Sequence, residues 1–356
     1  MSYIYSRAVK KSQDHHPFKT TTFMMHSLFK KTSILLFVLL MTSCVNNADR
    51  DNPLDPRSPD YKNYGSLTGN VYTYYTPFRP IASALITLIP GNQTTITNPT
   101  GEFALINIVP GSYLVTVNYP DYAQDTIQVQ IQSNKTTSIQ FNLDGLPKLD
   151  TLILSSGFQH EHFPFEPTQT LDITAKVYDP DGPADVATVS VIIPSLDFND
   201  TLGFSLFIGT YQKKIEEKDL TVNHIEELLG QPFFVDITDK VGKRCRYGPE
   251  YLFRVIDEEP EIISPKGSAV VGNQPDLKWQ SLEVPFSFTF KVEIYAIKED
   301  QILYPAIYTF SGISPEISEF QLGTRLPTGL YLWVVSIMDT WGNWSRSKPA
   351  TFQVGA

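Results

Sequence analysis

From residue 65 onward, apolar and polar positions alternate in short runs, the period of a β-strand whose two faces meet different surroundings. Tyr113, Val115 and Val117 share one face, as do Ile127, Val129 and Ile131, and then Ile139, Phe141 and Leu143. The pattern returns at Leu85, Ile86 and Leu88, at Leu171, Ile173, Ala175 and Val177, and at Val186, Val189, Val191 and Ile193. It continues through Phe233, Val235 and Ile237, then Tyr251, Phe253 and Val255, and later Phe288, Phe290, Val292, Ile294 and Tyr295. Turn-forming residues punctuate these runs at Asn98–Gly101, Val109–Gly111, Asp179–Gly182 and Asp239–Gly242. Gly101 and Gly111 are expected to supply positive φ, which side chains resist. One stretch breaks the period of two. Between Glu216 and Leu229, residues Leu220, Ile225, Leu228 and Leu229 share one helical face, and Gly230 follows as a stop. The pattern predicts an all-β chain with one short helical insertion.

The N-terminal region follows another logic. Lys30 and Lys31 precede an apolar run from Ile34 to Met41, followed by Thr42, Ser43 and Cys44. A run of about eight apolar residues falls short of the roughly 20 that span a bilayer. It has the layout of a secretory signal with a cysteine at the cleavage point. This string resembles a bacterial lipoprotein signal, with Met41 standing where that signal favours Leu. The resemblance implies a mature chain beginning at Cys44 with covalent lipid on that residue, since two or more acyl chains anchor stably. Signal peptides run to about 15–30 residues. Met24 or Met25 is therefore the expected start, residues 24–43 the signal peptide, and residues 1–23 an extension without a role in the fold. Val45 replaces the Asp of the usual inner-membrane retention signal, which points to the bacterial outer membrane, on its periplasmic face or at the cell surface. The acidic string Ala48–Asp51 is compatible with the surface.

Residues 44–64 are polar, with Pro53, Pro56 and Pro59 at three-residue intervals, and read as the lipidated cysteine and an extended linker. Asp49, Asp51, Asp55 and Asp60 there read as solvated charge. In residues 65–147, Gly69 and Val71, Pro80-Ile81 and Ala84, Thr100–Phe103, and Pro110–Tyr113 are spaced as in the carboxypeptidase regulatory-like domain, which this segment resembles. The resemblance implies a transthyretin-like, seven-stranded β-sandwich and an accessory module without catalytic residues. Residues 148–258 resemble an Ig-like sandwich carrying the helical insertion. Residues 259–356 resemble a fibronectin type III-like sandwich, through Trp279, the run Pro327–Val335 and the hairpin Asp339–Ser345.

The whole chain carries 28 Lys and Arg against 38 Asp and Glu. Loss of residues 1–43 removes six basic and one acidic side chain and leaves a net charge near −15. That balance excludes nucleic acid as a partner, because phosphate binding needs a basic surface. Cys245 is the sole cysteine beyond Cys44, so no internal disulfide forms in the mature chain. Arg244 and Arg246 flank Cys245 and could lower its pKa; a half-buried strand cysteine is the competing reading. Asp179, Asp181 and Asp185 are a candidate calcium site, since clustered carboxylates suit a hard cation, although the same residues also make a good turn. His160 and His162 form a pair too small for zinc without further ligands. Trp341 and Trp344 flank a Gly-Asn turn, where exposed rings could stack on a sugar or anchor a partner, and inward packing is the alternative. That turn is expected at the end of the rod remote from Cys44.

No nucleophile elbow, phosphate-binding loop, zinc-protease helix or dinucleotide fingerprint is present. The chain is expected to be non-catalytic, a membrane-anchored scaffold or binding module of the cell envelope with a protein or glycan partner. The alternatives are a carbohydrate-binding surface lipoprotein of a glycan-uptake system, or an accessory subunit of an envelope or secretion complex.

Overall fold

The computed structural model describes residues 55, 57, 58, 63–160, 167–267, 269–299 and 301–355. The signal segment, Cys44 and His162 lie outside the described residues. The chain divides after Tyr64, and Gly65–Ala356 forms one unit. In the preceding unit the Asp55 carboxylate accepts the Arg57 N–H at 3.0 Å. From Gly65 the described residues are nearly all strand and turn, arranged as tandem β-sandwiches around separate hydrophobic cores.

The first sandwich faces a three-stranded sheet against a four-stranded one. Strand Gly65–Thr73 lies between Glu102–Ile108 and Thr136–Leu143, antiparallel to the first and parallel to the second. The opposing sheet runs in the order Gln93–Ile96, Leu85–Ile89, Gly111–Asn118, Asp125–Ile131. Seven strands in two sheets are the expected number. Val115, Val117, Val129, Ile131, Phe141 and Leu143 are buried as their alternation requires, whereas Leu85 points outward. Gly101 takes φ +78°, as expected. Gly111 does not: it opens a strand in ordinary backbone, and the left-handed residue at that corner is Asn107, with φ 59°. A short polar side chain tolerates that region, and Asn107 sits where the ladder with strand Gly65–Thr73 shifts register, between Leu105 and Ile108.

In the second sandwich, Phe198–Thr201, Val186–Ile193, Phe233–Asp239 and Arg244–Glu250 form one sheet in that order. The other begins Gly203–Phe204, Thr210–Glu216, Pro167–Tyr178, Lys148–His160. The odd spacing between Val186 and Val189 has a cause: the ladder shifts register between Val186 and Thr188. A bulge of this kind adds one residue, and the inward face resumes at Val189. The last strand ends at Glu250 rather than running on through Val255.

The expected helix at 216–229 is absent. Two single 3-10 turns, Glu217–Asp219 and Ile225–Leu228, are separated by a bending segment over 220–224, with His224 at φ −137° and ψ 143°. Thr221, Val222, Asn223 and His224 all rank low as helix formers. Glu217 Oε2 accepts the Ile225 N–H at 2.8 Å, which secures the second turn from outside. The apolar residues are nevertheless used, because Leu220, Ile225 and Leu228 are buried in the second core.

On strand Arg244–Glu250 the two arginines face away from the core and close on buried Asp236. Arg246 Nε and Nη2 reach its carboxylate at 2.7 and 2.9 Å, and Arg244 pairs with it as well. Arg246, then Arg244, hold the Asp236 carboxyl below the ordinary carboxylate range despite its burial. A carboxyl whose folded pKa is depressed stabilises the fold above its unfolded value of about 3.9 and loses that contribution as pH falls through the folded value. The stability gap between the native chain and Asp236→Asn, measured by urea unfolding, is expected to be constant from pH 7 to 5. It should shrink from pH 4 downward; a gap that grows there would refute the assignment.

The third sandwich packs a small sheet, Ile262–Ser264, Asp276–Trp279 and Glu319–Gln321, against strands that include Phe288–Lys298, Gly329–Asp339 and Ala350–Val354. Trp279 and Trp333 are fully buried, and the Trp333 indole N–H donates to Pro265 O at 2.8 Å. Tyr295 leaves the inward series and joins Leu332 and Val334 in a small cluster on the outer face. The larger sheet does not stop at the sandwich boundary. Strand Trp344–Arg346 pairs in parallel with Lys148–His160, joining Trp344 to Gly157 and Ser345 to Phe158, so one hydrogen-bonded sheet crosses from the second sandwich into the third.

Candidate functional site

Two places gather polar chemistry. The first lies where the first sandwich meets the second. Strand Thr136–Leu143 is followed by Asp144, and the next residue, Gly145, approaches the turn after strand Pro167–Tyr178. A Cβ on Gly145 would lie 3.0 Å from Pro180 Cβ, so this close approach suits glycine. In the turn, the Asp181 N–H donates to Asp179 Oδ1 at 2.8 Å, and the Gly145 N–H donates to Asp181 Oδ2 at 2.7 Å. Gly182, at φ +107°, brings the chain back towards Asp185. Oxygens of Asp144, Asp181 and Asp185 all lie within 4.8 Å of one another. Tyr75, from the loop after strand Gly65–Thr73, donates its hydroxyl to Asp185 Oδ1 at 2.6 Å.

Asp239 comes from a third segment, at the end of strand Phe233–Asp239. Its Oδ1 is taken by the Gly242 and Lys243 N–H groups, both at 2.7 Å. The Lys240 N–H donates to the Asp185 carbonyl at 2.9 Å, which holds this segment against the acidic turn. The electrostatic result is severe. Burial, reinforced by Asp239, Asp181 and Asp185, pushes the Asp144 carboxyl up to about 7 against the pull of Lys243. Burial also pushes Asp179 up to about 6, although its hydrogen bond from Asp181 works the other way. Asp181 is raised chiefly by burial. The hydrogen bond to Asp185 raises the Tyr75 phenol. The three sequence-predicted aspartates are therefore together, with Asp144 and Asp239 added.

Another group able to converge among the described residues is Glu217, His224 and Glu226. His224 and Glu226 are exposed, and Glu217 already binds the Ile225 N–H. His160 pairs with Glu259, Nε2 to Oε2, at 2.7 Å.

The second polar centre is the hairpin turn 339–344, and it lies against the second sandwich rather than at a free tip. Asp339 organises it. Its Oδ1 accepts the Trp341 and Asn343 N–H groups, each at 2.9 Å, and its Oδ2 accepts Arg254 Nη1 at 2.8 Å and Asn343 Nδ2 at 2.9 Å. Fully buried Asn343 presents its carbonyl oxygen to the Ser156 N–H at 2.8 Å. Trp344 lies over Gly157, where an added Cβ would fall 2.5 Å from Cζ2, and its indole N–H donates to Asp172 Oδ2 at 3.1 Å. Lys214 and Arg346 stand 4.9 and 5.1 Å from its ring centre. Trp341 remains 47% exposed and packs beside Phe253 at 5.6 Å, with the Arg254 guanidinium 4.7 Å from its ring centre. The two rings thus differ: Trp344 belongs to the joint, and Trp341 stays half exposed between Phe253 and Arg254.

Cys245 faces away from its flanking arginines, which turn to Asp236. Burial pushes its thiol up, so the activating influence expected from neighbouring positive charge is not realised.

Residues 66–144 match the family model of the carboxypeptidase regulatory-like domain. Among solved structures, the FN1-FN3 domains of chicken CNTN1 are similar at 11% identity over 78% of this chain and 92% of that one, with a TM-score of 0.29. BcpA, the major pilin subunit of Bacillus cereus, is similar at 9% identity over 81% and 94%, with a TM-score of 0.28. GBS52, the minor pilin of Streptococcus agalactiae, is similar at 15% identity and a TM-score of 0.22, over 25% of this chain and 47% of the pilin, so this chain spans about half of that pilin's length. No curated protein matches the chain.

Proposed function

We propose that the protein is a non-catalytic, lipid-anchored scaffold of the bacterial envelope. Cys44 tethers it to the outer membrane, on the periplasmic face or at the cell surface, and the tandem β-sandwiches hold a binding face for a protein or glycan at a set distance. The observation that carries the scaffold reading is the sheet that runs unbroken from strand Lys148–His160 to strand Trp344–Arg346. A flexible string of modules has no need of main-chain pairing across its joints. The anchor rests on the order of Lys30, Lys31, the apolar run and Cys44. Cys44→Ala is expected to move the protein from the membrane fraction to the soluble fraction and to abolish incorporation of labelled palmitate. Retention of both in the variant overturns the anchor.

The half-exposed Trp341 ring, beside exposed Phe253 and the Arg254 guanidinium, favours a sugar as the alternative ligand, since aromatic and guanidinium groups side by side suit a hydroxyl-rich ring. Under this reading, binding on a glycan array falls at least about tenfold in Trp341→Ala, the loss of about 1.4 kcal/mol. Unchanged binding rejects it.

A further inference from the structure

Five carboxylates in this chain lie near one another, and three of them, Asp144, Asp181 and Asp185, bring oxygens within 4.8 Å of each other. Asp144, Asp179, Asp185 and Asp239 are each more than nine-tenths buried. Among the described residues, neither oxygen of Asp144 has a hydrogen-bond partner, and neither does Asp179 Oδ2, Asp185 Oδ2 or Asp239 Oδ2. A buried carboxylate left without donors is strongly disfavoured, and buried charges are paired or coordinate a metal. The oxygens of these side chains that do have partners are held by backbone N–H groups or by Tyr75, which fixes the carboxylates in place and leaves their other oxygens free. Asp144 is the decisive residue. It belongs to neither the acidic turn nor the Asp239 segment, it is 5% exposed, and its oxygens close to within 4.8 Å of those of Asp181 and Asp185.

We infer that this cluster is a calcium site that fastens the first sandwich to the second. The donors in the group are all oxygen, which selects a hard cation over zinc or copper. Calcium accepts six to eight oxygen ligands in irregular geometry, while magnesium demands a near-ideal octahedron and keeps its waters. Asp144 directly follows the last strand of the first sandwich. Asp179, Asp181 and Asp185 come from the turn after strand Pro167–Tyr178, and Asp239 from the end of strand Phe233–Asp239, both in the second. One ion therefore bridges both. Tyr75 reaches the same cluster from a second loop of the first sandwich, so ion binding also positions the segment around residue 75. The site stands independently of the lipid anchor and of any partner at Trp341.

The experiment uses the full chain stripped with a chelator and titrated with calcium chloride by calorimetry. The expected result is one ion per chain, with a dissociation constant between about 0.1 µM and 1 mM, the span from sensor sites to extracellular modules. Asp144→Asn and Asp185→Asn should each weaken binding at least about tenfold, whereas Asp219→Asn, exposed at the end of the 3-10 turn Glu217–Asp219, should leave it unchanged. Hydrogen exchange supplies a readout that does not depend on a variant folding. Calcium should slow exchange at least about tenfold in the segments around residues 75, 145, 179–185 and 239–243, and leave the hairpin at 339–344 unchanged. Absence of calcium binding by the folded native chain overturns the site, as does an equal response to magnesium. Protection confined to 179–185 overturns the fastening role.

Discussion

Replacing Asp339 by Ala is expected to destabilise the protein by about 3 kcal/mol or more, read as a shift of the urea midpoint followed by tryptophan fluorescence. The side chain is fully enclosed and satisfies four donors: two turn N–H groups, the Asn343 amide and the Arg254 guanidinium. Removing one partner of a buried ion pair costs about 3–5 kcal/mol, because the other charge stays behind. Arg254 is partly exposed and also lies over Phe286 and Trp341, which places the expectation at the lower end of that range. The damage should spread, because Asn343 would lose its orientation and with it the bond to Ser156 in the second sandwich. A loss under about 1 kcal/mol would mean that the turn is held by its backbone alone.

The second large effect belongs to the first sandwich. Gly69 lies in the middle strand of the three-stranded sheet, and a Cβ there would sit 2.5 Å from the Ile139 carbonyl oxygen and 2.6 Å from Phe103 Cζ. Neighbours hydrogen-bonded on both sides prevent the strand from backing away. Overpacking of this kind costs about 1–3 kcal/mol, and Gly69→Ala is expected near the top of that range in thermal unfolding. Gly272 supplies the control. Nothing lies within 4 Å of an added Cβ there, so Gly272→Ala should stay within about 0.5 kcal/mol of the native chain. Equal effects at the two positions would show that the strain at Gly69 is relieved by a small shift of Phe103 and the sheet.

Much of this architecture could be read in the chain because strands advertise themselves locally. Val115, Val117, Val129 and Ile131 bury the faces that their spacing assigned to them, and the turn glycine Gly101 does what a turn glycine should. What escaped was whatever depended on distant partners. The apolar residues between 216 and 229 carry a helical spacing, yet a core already walled by strands takes Leu220, Ile225 and Leu228 from two tight turns just as well. Asp179, Asp181 and Asp185 stood out because they are neighbours in sequence. Asp144 and Asp239 did not, since each is a single acid at the end of a strand; their shared signal is an Asp closing an alternating run with a glycine within three residues. The Trp341–Trp344 turn was expected at a free end because nothing in a hairpin motif reveals that Gly157, some 180 residues earlier, has been kept bare to receive a ring.

The strand Lys148–His160 has a further consequence for how the protein is made. Without Trp344–Arg346 beside it, this strand would be the outer edge of its sheet, with open N–H and C=O groups over the stretch that the later strand covers. Exposed edges recruit strands from other molecules. The segment that caps this one lies far downstream and emerges long after it as the chain is synthesised or crosses a membrane. Until it arrives, the protein carries an adhesive margin, and any chain cut short before residue 344 carries that margin permanently.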